Sequence, residues 1–86
     1  MTLEDKAIKV VFDYVKEQLD KVGAHPTFAE DEVYIVWFSK TLQNWKALVG
    51  TTLPDDLYYE VTYDGDRALA YLDAYKKFDN RAVKLV

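Results

Sequence analysis

The sequence predicts an α+β fold, a three-stranded antiparallel meander packed on two helices in the order α-β-β-β-α. Three observations carry that prediction. Ile8, Val11, Phe12, Val15, Leu19 and Val22 recur at spacings of three and four, which makes one apolar stripe on a helix over residues 3–22. Residues 33–40, 45–52 and 57–63 are short runs rich in β-branched and aromatic side chains, separated by turn residues. Leu69, Leu72, Tyr75 and Phe78 then recur every three residues, which predicts a final helix over residues 67–79.

Each element has a start or stop signal. Thr2 is placed as the N-cap of the first helix, with Asp5 at the capping-box position, and Gly23 supplies its stop. A loop follows to Asp31, containing Pro26 and with Phe28 expected underneath the fold. Val33 to Lys40 (VYIVWFSK) is apolar on both parities and reads as a strand. Thr41-Leu42-Gln43-Asn44 turns the chain into a second strand, Trp45 to Thr52. Leu53-Pro54-Asp55-Asp56 is the next turn, and Leu57 to Tyr63 the third strand. Asp64-Gly65 ends it, and Asp66 is expected to cap the last helix. The tail, Arg81 to Val86, is open between a frayed end and a fourth strand.

A chain of 86 residues is one domain, spanning residues 1–86, with little margin of stability. Aromatics are abundant, 13 residues in all, and such side chains enlarge a small core or anchor a binding surface. With no Cys, disulfides, thiolate metal sites and Cys nucleophiles are excluded. The first residues are acidic where a secretory signal would be basic, and no apolar run approaches membrane-spanning length, so a cytoplasmic protein with no membrane partner is expected. The net charge of −4 is unevenly spread. Residues 1–32 carry −4, residues 33–54 carry +2, residues 55–75 carry −5 and residues 76–86 carry +3. This balance disfavours a nonspecific nucleic-acid binder and suits either simple solubility or a partner with a basic surface.

Turn lengths predict a register. A tight turn at Thr41–Asn44 pairs Lys40 with Trp45, Phe38 with Ala47 and Val36 with Val49. A similar turn at Leu53–Asp56 sets Leu48 opposite Val61 and Gly50 opposite Tyr59. Strict alternation then gathers Val33, Ile35, Trp37, Leu48, Tyr59, Val61 and Tyr63 on a core face. The opposite face collects Tyr34, Val36, Phe38, Trp45, Ala47, Val49 and Tyr58, with Lys40, Glu60 and Thr62 at its margins. An apolar face of that kind has three explanations: cover by a helix or the tail, a homodimer, or an open platform for a partner or ligand. Tyr34, Phe38, Lys40, Trp45 and Tyr58 are its candidate partner- or ligand-binding residues.

No catalytic pattern emerges, so no enzyme, no metal site and no cofactor is expected. His25 is the lone imidazole, in a loop without Cys or a Ser-His-Asp arrangement around it, and reads as solvent-facing. Asp64-Gly65-Asp66 lacks the further acidic ligands of a calcium loop and is accounted for by turn and cap chemistry. The three glycines are scattered and make no phosphate loop. The α-β-β-β-α order is that of the double-stranded-RNA-binding fold, but the last helix of that fold begins basic, whereas here Asp66-Arg67-Ala68 stands at that point.

Residues 33–66, VYIVWFSKTLQNWKALVGTTLPDDLYYEVTYDGD, and residues 70–80, AYLDAYKKFDN, resemble a family of small proteins of unknown function encoded by phages and prophages of Gram-positive bacteria. That resemblance implies a bacterial cytoplasm and an accessory role, and it transfers no functional residue. The leading expectation is a non-enzymatic protein that binds another protein, a host or defence protein for example, as a homodimer. The alternatives are a small-ligand, nucleotide-type sequestering protein that uses aromatic stacking with Lys40 and Lys46, or a single-stranded nucleic-acid binder on the same face.

Overall fold

The computed structural model describes residues 1–23 and 27–85. Its elements are one helix, α1 (Leu3–Lys21), a short 3-10 turn (Glu30–Glu32), and four strands: β1 (Val33–Thr41), β2 (Asn44–Thr51), β3 (Leu57–Asp64) and β4 (Leu69–Lys76). The strands form an antiparallel sheet in the order β1-β2-β3-β4. The architecture is α+β, as the sequence predicts. The expected final helix over 67–79 is instead the fourth strand, so the fold is α-β-β-β-β, and the analogy with the double-stranded-RNA-binding order goes with it.

α1 begins as expected. The Asp5 amide donates to Thr2 Oγ1 at 3.0 Å, and the Thr2 amide donates to Asp5 Oδ2 at 3.1 Å. The Thr2 backbone bond, and then its side chain, hold the Asp5 carboxyl below the usual carboxylate range. Gly23 ends the helix at φ 72, a left-handed conformation that favours glycine. The buried stripe is Ala7, Val11 and Val15, flanked by Leu3, Ile8, Phe12 and Leu19. Val22, expected in that stripe, lies at the C-cap and is exposed. Phe28 is buried and stacks on Phe12, with ring centroids 5.5 Å apart. The loop reading of His25 and Pro26 lies outside the described residues.

The β1–β2 turn follows the predicted register: Thr41 faces Asn44, Lys40 faces Trp45 and Phe38 faces Ala47. The pairing then slips, because Val36 is an extra residue in a β-bulge between Ile35, opposite Val49, and Trp37, opposite Leu48. A bulge shifts parity by one, so Val33 and Ile35 share a face with Phe38, not with Trp37. The β2–β3 connection also differs by one step from the expected register: Leu48 faces Glu60 and Gly50 faces Tyr58.

These two shifts correct the assignment of faces. The helix covers Val33, Ile35 and Phe38 of β1, Trp45, Ala47 and Val49 of β2, and Tyr59, Val61 and Tyr63 of β3. Trp45 is 5% exposed and lies between Phe38 and Tyr63, with centroids at 5.6 and 5.4 Å. Tyr14 of α1 meets Tyr59 edge-on at 5.9 Å. Burial, then the charges of Asp55 and Tyr14, push the Tyr59 phenol up to about 12.

β4 is formed by a hairpin turn, not by a helix cap. Asp64 Oδ1 accepts the amides of Asp66 (3.0 Å) and Arg67 (3.3 Å), reversing the chain through residues 65–68. Asp66 therefore caps no helix. The two turns at this end of the sheet are pinned together. The Gly65 amide donates to Asn44 Oδ1 at 2.8 Å, and Gln43 Nε2 donates to Asp66 Oδ1. A Cβ on Gly65 would lie 2.3 Å from the Gln43 carbonyl oxygen, so only glycine admits that approach. At the other end of the sheet, Glu32 clamps the β2–β3 connection: its carbonyl and carboxylate accept the Thr52 amide and hydroxyl, both at 3.0 Å. Residues 77–85 form no helix or strand and are exposed throughout.

Candidate binding surface

The sheet has two faces and the described residues form one α-helix, so among them one face is left uncovered. α1 packs against β1, β2 and β3 on the other side. Pairing across the strands puts three rows on the uncovered face. The first is Tyr34, Gly50, Tyr58 and Tyr75; the second is Trp37, Leu48, Glu60 and Asp73; the third is Ser39, Lys46, Thr62 and Tyr71. A solvated sheet face ordinarily alternates to polar side chains. This one carries five aromatic rings, of which Tyr34, Trp37, Tyr71 and Tyr75 are between 43% and 51% exposed.

Gly50 shapes the first row. A Cβ there would fall 2.7 Å from the Tyr34 ring, so the hydroxyl end of the ring occupies the space that a side chain on Gly50 would take. Absence of a side chain on Gly50 thereby lets Tyr34 lean across β2 towards Tyr58.

The charges lie in the middle of this face. Glu60 and Asp73 stand directly opposite each other on β3 and β4, a like-charge pair that costs a few tenths of a kcal/mol or more. Lys46 reaches Glu60 at 3.5 Å, and among the described residues no Lys or Arg forms an ion pair with Asp73. Two neighbouring carboxylates framed by Trp37, Tyr58, Tyr71 and Tyr75 suit a guanidinium or ammonium group, which gains both carboxylate bonds and ring faces.

The predicted site residues divide between the two faces. Tyr34 and Tyr58 are on the uncovered face. Phe38 and Trp45 are on the helix side, Trp45 deep within the core. Lys40, the cross-strand partner of Trp45, sits at that side's margin, and its Nζ donates to the Leu42 carbonyl. Trp37, Tyr71 and Tyr75, which sequence reasoning did not include, complete the aromatic set. The alternation of Tyr71, Asp73 and Tyr75 with Ala70, Leu72 and Ala74 was a usable signal. Nothing in VYIVWF marks which residue is bulged.

A family of unknown function, DUF6275, matches residues 4–85. The chain belongs to this family. No curated protein and no solved structure matches it. The match to DUF6275 takes in all of α1 but its first residue and all four strands, so the uncovered face lies wholly within the family region. Among the described residues of this DUF6275 protein, no three His, Cys, Asp or Glu side chains gather as metal ligands, and no helix is long and apolar enough to cross a membrane. At one end of the uncovered face, a depression of about 210 Å³ is lined by Ser39, Thr41, Asn44, Lys46 and Thr62, with Trp45 and Tyr63 beneath. That is smaller than the ~300 Å³ at which small-molecule pockets begin.

Proposed function

We propose that this DUF6275 protein is a non-enzymatic, cytoplasmic accessory protein that acts by binding another protein through its uncovered sheet face. The observation that carries this reading is the aromatic frame of Tyr34, Trp37, Tyr58, Tyr71 and Tyr75 around the Glu60–Asp73 pair. Such a face fits a partner that presents Arg or Lys among apolar side chains. Arginine-rich hot spots are common in protein interfaces. The phage or prophage setting implied by the sequence resemblance makes a host or defence protein the partner of choice. The two carboxylates repel phosphate, and the neighbouring depression is small, so nucleotide and single-stranded nucleic-acid binding rank below protein binding.

The test is affinity capture from a bacterial host lysate with three baits: the native chain, Trp37→Ser/Tyr71→Ser, and a helix-surface control, Lys16→Ser. The native chain and the control should retain the same protein, and the double variant should lose it while keeping its circular dichroism. Equal capture by all three baits would remove the uncovered face from consideration.

A further inference from the structure

We infer that the outer edge of β4 pairs with β4 of a second copy, joining two sheets into one of eight strands. The two edges of the sheet are unlike. β1 carries the Val36 bulge and Lys40, both devices that discourage another strand from adding on. β4 has neither. It pairs with β3 without a break from Leu69 to Lys76, contains no Gly or Pro, and is exposed except at Leu72. Among the described residues nothing lies beyond it, and residues 77–85 do not fold back over it.

The free hydrogen-bonding groups can be assigned. The Lys77 amide donates to the Asp56 carbonyl across the β3–β4 pair at 2.7 Å. Inward-pointing amides alternate along an antiparallel strand, so Tyr75, Asp73 and Tyr71 also point to β3. Lys76, Ala74, Leu72 and Ala70 therefore present their amides and carbonyls outward.

This edge is complementary to itself in one register. With Leu72 opposite the second copy's Leu72, Ala70 meets Ala74 and Leu69 meets Tyr75. Tyr71 then meets Asp73, where a phenol can donate to a carboxylate. The neighbouring register centred on Asp73 opposes two carboxylates and is disfavoured. In the favoured register Leu72, Ala70 and Ala74 are the hydrogen-bonded positions, matching the groups that point outward. The two-fold axis stands normal to the sheet. Both helices consequently lie on one side, and the two uncovered faces merge, with Tyr71 and Tyr75 of both copies at the centre. The pairing is independent of what the merged face binds.

The test is sedimentation equilibrium of the full chain from micromolar to millimolar concentration, with amide exchange followed over the same range. A dimer should form, and the Ala70, Leu72 and Ala74 amides should gain protection as concentration rises. Ala74→Pro deletes only an outward amide, one in each copy, and should weaken the dimer about ten- to a hundredfold with its circular dichroism unchanged. If that variant does not fold, Ala74→Lys, which puts a charge on the edge and keeps the amide, takes its place. A chain that stays monomeric throughout overturns the proposal. So does a dimer that survives both Ala74 variants, whether Trp37→Ser dissociates it (a face-to-face dimer) or deletion of residues 82–86 does (a tail exchange).

Discussion

Replacing Trp45 with alanine should cost about 4–5 kcal/mol, whereas replacing Trp37 should cost about 2 kcal/mol or less. A tryptophan side chain presents roughly 225 Å². Trp45 is 5% exposed, so at ~25 cal/mol per Å² its removal forfeits about 5 kcal/mol and leaves a cavity between Phe38 and Tyr63. Trp37 is 43% exposed, which limits the same reckoning to about 3 kcal/mol as an upper bound, and its site opens to water, so no cavity adds to it. The whole domain is held by only about 4–13 kcal/mol at this length, which puts Trp45→Ala near the limit of folding. Urea denaturation followed by circular dichroism measures both costs. Each variant also retains one tryptophan. Trp45 alone should emit at short wavelength and resist acrylamide, and Trp37 alone should emit as a partly solvated indole. Equal costs, or a solvent-like Trp45, would refute the bulge at Val36 on which the assignment of faces depends.

Three further outcomes follow from the backbone and the core. Gly50→Ala should destabilise by about 1–3 kcal/mol because its methyl meets the Tyr34 ring, and much of that loss should vanish in a Tyr34→Ala background, a coupling that a double-mutant cycle measures. Leu42 holds φ 56 and is 78% exposed, so Leu42→Gly should relieve left-handed strain and raise the urea midpoint by an amount worth up to about 1 kcal/mol. Tyr59 binds its proton more tightly folded than unfolded, so its contribution is intact below pH 10 and is lost as pH rises from there through about 12. Tyr59→Phe should remove that phase of alkaline unfolding, as read by circular dichroism.

Local chemistry was legible in the sequence, and relations between distant segments were not. The Thr2–Asp5 box, the Gly23 stop and the Thr41–Asn44 turn involve contacts within a few residues, and all three stand in the structure. The faces of β1 and β2 depended on parity. VYIVWF is apolar at every position, so hydrophobic alternation could not reveal the extra residue at Val36. The last element failed for a different reason. Leu69, Leu72 and Tyr75 fit a helical spacing, yet the same segment alternates, and the choice is made by Asp64, whose side chain bends the chain back towards the free edge of β3. Three of the five candidate residues, Phe38, Lys40 and Trp45, fall on the helix side as a result, and Trp37, Tyr71 and Tyr75 stand with Tyr34 and Tyr58 on the uncovered face.

The narrowness of the helical cover also bears on how the domain opens. α1 reaches three strands, and β4 rests mainly on its ladder with β3 and on the half-buried Leu72. Cooperative units in small proteins follow such differences in local support. β4 should therefore detach in a sub-global fluctuation while α1 and the first three strands stay assembled. Its inward amides, Tyr71, Asp73 and Tyr75, should exchange with a smaller opening free energy than those of Ala47 and Val49. A meander also adds its strands by sequence-local steps, which keeps loop-closure entropy low and makes β4 the natural last arrival in folding.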